Sequence, residues 1–183
     1  MAMAARRYPW YVRLVLAAQR RKYGRELGPA LLWGRLPGSL LALTLLYRSL
    51  DRGTSPIVPG LRALLQVRVS QINGCAFCVD LNSAAALERE VTHERLAALA
   101  DFEHSPLFGE REKAALAYAE AMTDTRRGVD EPLFDRLRQV FSDAEIIELT
   151  ALLAFQNLSS KFNSALGVPA PGLCTRPVVE EDP

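Results

Sequence analysis

Histidine is almost missing from this chain, with 2 among 183 residues, and cysteine is scarce, with 3. A structural zinc site needs four ligands. Beyond the neighbours Cys75 and Cys78 the chain offers Cys174, His93 and His104, none in a paired ligand spacing, so no metal is expected. Three cysteines also fall short of the disulfide framework of a small secreted domain. Long apolar runs are lacking too. The uncharged stretch from Leu36 to Tyr47 has 12 residues, against the about 20 that cross a bilayer. Arg6-Arg7 is followed by an apolar run broken at Arg13 with no small-residue cleavage site, which argues against a signal peptide. No nucleic-acid-binding motif, no internal repeat and no low-complexity segment in the helical region is present, so nucleic acid is not an expected partner.

What the chain does have is apolar residues, 49% of the total, enough to bury one sizeable core. Charge is divided unevenly. Residues 1–62 carry a net charge of +9 and the remainder −8. The basic segment is expected to be a helical extension packing against acidic surface of its own or a neighbouring subunit, with membrane contact as the weaker alternative. Three regions follow: a basic N-terminal extension over 1–58, a helical domain over 59–169, and a proline-rich acidic tail over 170–183 that contains Cys174 and favours a meandering end.

From Pro59 onward no run shows the alternation of an exposed strand, and the pattern is all-α. Trp10 to Tyr23 reads as a helix with Val12, Val15, Leu16 and Gln19 near one face. Leu36 to Tyr47 suits a buried or interfacial helix. Pro59 opens a helix to about Ile72, and Thr92 caps one over His93 to Asp101. Gly109 to Met122 is rich in helix formers. Asp130 and Pro132 start a helix ending near Phe141. The capping box Ser142-x-x-Glu145 opens the longest helix, which runs to a stop at Gly167.

The chemistry concentrates in Ser70-Gln71-Ile72-Asn73-Gly74-Cys75-Ala76-Phe77-Cys78-Val79-Asp80-Leu81-Asn82. An Asn-Gly break precedes two cysteines three positions apart, and the small and apolar residues to Leu87 suit a helix beginning at the first thiol. Thiols in a first turn meet unpaired N–H groups and the positive end of the helix dipole, so their ionised form is favoured. Inert buried cysteines are the bland alternative. A redox dithiol is the favoured reading.

This stretch resembles the signature of alkylhydroperoxidase D-like (AhpD-like) proteins within the carboxymuconolactone decarboxylase superfamily. The likeness runs from Pro59 to Pro169, through Pro106-Leu107-Phe108-Gly109-Glu110 and Ser142-Asp143-Ala144-Glu145. It implies an all-α, AhpD-like helical bundle and a peroxidase without a cofactor. Cys78 would be the thiol that attacks peroxide and Cys75 the thiol that resolves it. Its expected partners are a hydroperoxide substrate, an external dithiol reductant in the cytoplasm, and further copies of the chain in a trimer or hexamer. The family's proton relay, a Glu and a His, falls on Ala63 and Asn82, neither of which can titrate. Gln66, one turn from Ala63, is the candidate supporting residue. The resemblance therefore implies weak peroxidase activity. The competing reading is a redox-responsive structural or regulatory oligomer. Decarboxylation of a muconolactone is weaker still, because family members that perform it lack the cysteine pair.

Overall fold

The computed structural model describes residues 8–174. The acidic end Glu180-Glu181-Asp182 and the pair Arg6-Arg7 lie outside them. The chain divides into two compact units between Arg52 and Gly53. Among the described residues every regular element is helical.

The first unit holds α1 (Trp10–Tyr23), α2 (Gly28–Trp33) and α3 (Pro37–Leu50). The expected face of α1 is the buried one: Val12 and Leu16 pack with Ala30 and Leu40. That apolar face is thus occupied within its own unit. Gly24 ends α1 in the left-handed conformation at φ +71°, donating its N–H to the Arg20 carbonyl. Gln19 continues the chain's path by accepting the Leu27 N–H at 3.1 Å. No periodicity announces α2, because six residues are too few to show one, although Pro29 stands in its first turn. Among the described residues no helix is long and apolar enough to cross a membrane.

The second unit is built around α4 (Pro59–Ile72), which packs against α5 (Ala76–Leu87), α9 (Asp143–Ala165) and α7 (Glu110–Thr123). A helix hydrophobic on every side belongs in a core, and α4 comes close: Leu61, Ala63, Leu64, Leu65, Val67 and Val69 are all buried. Ala114, Ala115 and Ala119 on α7 are fully enclosed, and their small side chains let α7 approach α4. Arg68 of α4 reaches across to Glu120 of α7 at 2.8 Å. The shorter α6 (His93–Ala98), a 3₁₀ turn over Leu99–Asp101 and α8 (Glu131–Arg138) complete the unit. Ile57 is 1% exposed within this core, so the chain has entered the unit before Pro59.

The helix starts follow their local chemistry. Thr92, Asp130 and Ser142 each accept a backbone N–H from the first turn of α6, α8 and α9. Glu145 closes the box at Ser142 by accepting its N–H at 2.8 Å. That hydrogen bond, with help from Arg111, holds the Glu145 carboxyl below its ordinary value of 4.5. Along α9, Ile146, Leu149, Leu152 and Leu153 are buried, while Ile147 and Leu158 face outward.

Candidate functional site: a dithiol in a buried amide network

The break between α4 and α5 is a turn that only glycine adopts freely. Gly74 has φ +61°, a left-handed conformation that strains any residue with a Cβ. Its N–H donates to the Gln71 carbonyl at 3.1 Å, and the Cys75 N–H donates to the Ser70 carbonyl at 3.0 Å. Cys75 is therefore delivered to the N-cap of α5. Its Sγ accepts the backbone N–H of Cys78 at 3.2 Å.

Cys75 and Cys78 are joined as a disulfide, with their Cα atoms 5.3 Å apart. Both are buried, at 1% and 3% exposure. Cys78 Sγ has a second neighbour from the far end of α9: Asn163 Nδ2 donates to it at 3.3 Å. Each sulfur thus meets one N–H, a backbone donor for Cys75 and a side-chain donor for Cys78.

Around the pair three polar stripes meet. On α4 and its end they are Gln66, Ser70 and Asn73; on α5 and its cap, Cys75, Cys78 and Asn82; on α9, Gln156, Ser160 and Asn163. Residues seven apart return to one face of a helix, which is why each stripe is continuous. Ser70 Oγ is the hub. It donates to the Gln66 carbonyl at 2.6 Å and accepts from Asn82 Nδ2 at 3.1 Å and Gln156 Nε2 at 2.9 Å. Further along, Asn73 Nδ2 donates to Asn157 Oδ1 at 2.9 Å and Ser160 Oγ at 2.8 Å.

The sequence-derived candidates therefore fall as follows. Cys75 and Cys78 are together. Asn82 is buried beside them, but its amide serves Ser70 and the Gln66 carbonyl, the latter at 3.4 Å. Gln66 is buried on the same face of α4, and its backbone carbonyl is the acceptor for both Ser70 and Asn82. Ala63 lies in the hydrophobic core at 1% exposure. His104 pairs with Asp101 at 2.6 Å on the surface, and His93 is exposed in the first turn of α6. Among the described residues no histidine is hydrogen-bonded to either sulfur. Ser70 stands in the cysteine motif without a role read for it, and Gln156 and Asn163 lie outside every motif. The signal that could have found the two on α9 is the spacing of the polar residues 156, 160 and 163, which share one face of the helix.

Cys174 is also tied down. The Asp80 carboxylate on α5 accepts the N–H of Leu173 at 2.7 Å and that of Cys174 at 3.0 Å. The tail thus follows the outer face of α5 as far as Cys174, where a groove of about 1170 Å³ is lined by Gly74, Ala76, Val79, Ser83 and Cys174.

A model of the carboxymuconolactone decarboxylase family matches residues 39–121. The uncharacterised protein YnjA of Escherichia coli K12 is 43% identical over 158 residues, 86% of this chain and 87% of its own length. This chain belongs to the carboxymuconolactone decarboxylase family. The family match begins inside α3, so the family's sequence pattern reaches into the first unit as well as the second. Among solved structures, ATU0492 of Agrobacterium tumefaciens, described as a putative antioxidant defence protein AhpD, is 26% identical. It superposes with a TM-score of 0.70 over 74% of this chain and 92% of that one. The apo debrominase Bmp8 shares the fold at a TM-score of 0.79, with 24% identity over 90% of this chain and 88% of its own. The AhpD-like helical fold is therefore this family member's fold. Within it, the dithiol is present and its surroundings are amides and hydroxyls.

Proposed function

We propose that this chain is an AhpD-type dithiol oxidoreductase that reduces hydroperoxides slowly in a reducing cytosol, within a homo-oligomer. The supporting observation is the closed Cys75–Cys78 pair at the start of α5, with an N–H group on each sulfur. The Cys78 thiolate attacks the terminal oxygen of the hydroperoxide and the O–O bond breaks. Water or an alcohol leaves with a proton from solvent, and Cys78 becomes a sulfenic acid. Cys75 then attacks that sulfur, water leaves, and the disulfide forms. An external dithiol returns two electrons and two protons by exchange.

Slowness follows from proton transfer. A positioned general base contributes about 10²–10⁴-fold, and the positions of the family's relay hold the core residue Ala63 and the amide Asn82.

The test is peroxide treatment of reduced protein, followed by peptide mass spectrometry with a sulfenic-acid trap. Wild type should yield the Cys75–Cys78 disulfide. Cys75→Ser should accumulate a trapped sulfenic acid at Cys78, and Cys78→Ser should give none at Cys75. Trapping at Cys75 instead would reverse the roles. If diamide closes the pair but no hydroperoxide does, the redox-responsive structural reading replaces this one.

A further inference from the structure

Asn163 is 1% exposed and holds Cys78 Sγ through Nδ2, while its Oδ1 is buried with no hydrogen-bond partner. A buried amide oxygen left unpaired costs on the order of 1–3 kcal/mol, and such groups are few in native proteins. Here the orphan acceptor sits on the same carboxamide that touches the reactive sulfur. A hydroperoxide presents the complementary group: the oxygen that the thiolate attacks carries the O–H. When that oxygen reaches Cys78, its proton has an acceptor waiting on Asn163.

We infer that Cys78 and Asn163 form a subsite for the terminal O–H of a small hydroperoxide, with hydrogen peroxide as the substrate it fits. The inference rests on the peroxidase reading proposed above. In this subsite Nδ2–H supports the sulfur and Oδ1 accepts the peroxide O–H, which aligns the O–O bond for attack. The proton stays on the transferred oxygen throughout, so the product is the Cys78 sulfenic acid, whose own O–H inherits the bond to Oδ1. Smallness follows from burial. Cys78 is 3% exposed between α5 and α9, and a bulky substituent on the second oxygen would have to part those helices.

The experiment compares two reactions of Cys78 in the reduced full-length chain: oxidation by hydrogen peroxide, and alkylation by iodoacetamide, which offers the subsite no O–H. Asn163→Leu matches the size of the amide and removes both its polar atoms. Loss of the sulfur contact should slow both reactions. Loss of the acceptor should slow only oxidation, by a further factor of up to about ten for one hydrogen bond. Asn163→Ala, with less bulk, should show the same split if the leucine variant folds poorly. Wild type should also consume hydrogen peroxide faster than cumene hydroperoxide. Equal losses in both reactions, or no loss, overturn the inference while leaving the peroxidase reading intact, and faster reaction with cumene hydroperoxide overturns the assigned substrate. A wild type inert to every peroxide removes the peroxidase reading and this subsite together.

Discussion

Removing one oxygen atom tests whether the buried network holds the site together. Ser70 is fully enclosed, and its Oγ accepts from Asn82 of α5 and Gln156 of α9 while donating within α4. Ser70→Ala takes away little volume but strands two buried amide donors. Each stranded donor costs about 1–3 kcal/mol. Asn82 Nδ2 retains its longer contact with the Gln66 carbonyl at 3.4 Å, which places its share at the low end. The expected destabilisation is about 2–4 kcal/mol, or roughly 4–16 °C in Tm at 2–4 °C per kcal/mol for a chain of this size. Urea unfolding of the oxidised protein, followed by circular dichroism, measures it. The discriminating arm is a double-mutant cycle. Gln156→Leu removes one stranded donor, so in the Ser70→Ala background it should cost less than it does alone, with a coupling of about 0.5–3 kcal/mol. A Ser70→Ala loss below about 1 kcal/mol, or strict additivity of the two substitutions, would refute the view that this hydroxyl joins the three helices.

Two further outcomes come from the turn and the cap. Gly74→Ala should destabilise by about 1–2 kcal/mol in the same urea assay, from backbone strain alone, because no atom lies within 4 Å of the added Cβ; no change would mean the turn relaxes to another conformation. Glu145 has its folded-state pKa depressed below 4.5 by the Ser142 N–H. The stability it contributes is therefore complete above that value and is lost as pH falls through the lower folded-state pKa. The difference in unfolding free energy between wild type and Glu145→Gln should shrink with acidification below pH 4.5, and a difference that stays constant into acid would sink the assignment.

Helix boundaries were legible wherever a cap or a proline marked them. Trp10–Tyr23 and Pro59–Ile72 match the sequence reading, and Ser142 with Glu145 opens α9 as its spacing announces. The Cys75–Cys78 pair at the start of α5 was equally plain, because Asn73-Gly74 can do little but turn. Two features stayed hidden for different reasons. The six residues of α2 are too few for a periodicity, which leaves Pro29 in the first turn as the local signal. Asn163 lies 85 residues from Cys78 in the chain, and its meeting with the sulfur is a product of how α9 crosses α5. The residues of α9 that touch the site, Gln156 and Asn163, are buried polar ones on the face turned toward α4 and α5.

The Asn73-Gly74 turn also bears on the chemical durability of the site. Asparagine followed by glycine is prone to lose ammonia, when the glycine backbone nitrogen attacks the asparagine carbonyl and closes a succinimide. Here both partners in that reaction are restrained. The Asn73 amide is held by Asn157 and Ser160, and the Gly74 nitrogen is engaged with the Gln71 carbonyl. Ring closure therefore waits for the turn to open. Once it occurs, hydrolysis leaves an aspartate or an isoaspartate. Either puts a carboxylate where two donated hydrogen bonds had been, and the second also adds a backbone atom just ahead of Cys75. The hydrogen bonds that deliver the first thiol to its helix are thus also the ones that keep Asn73 and the Gly74 nitrogen from reacting.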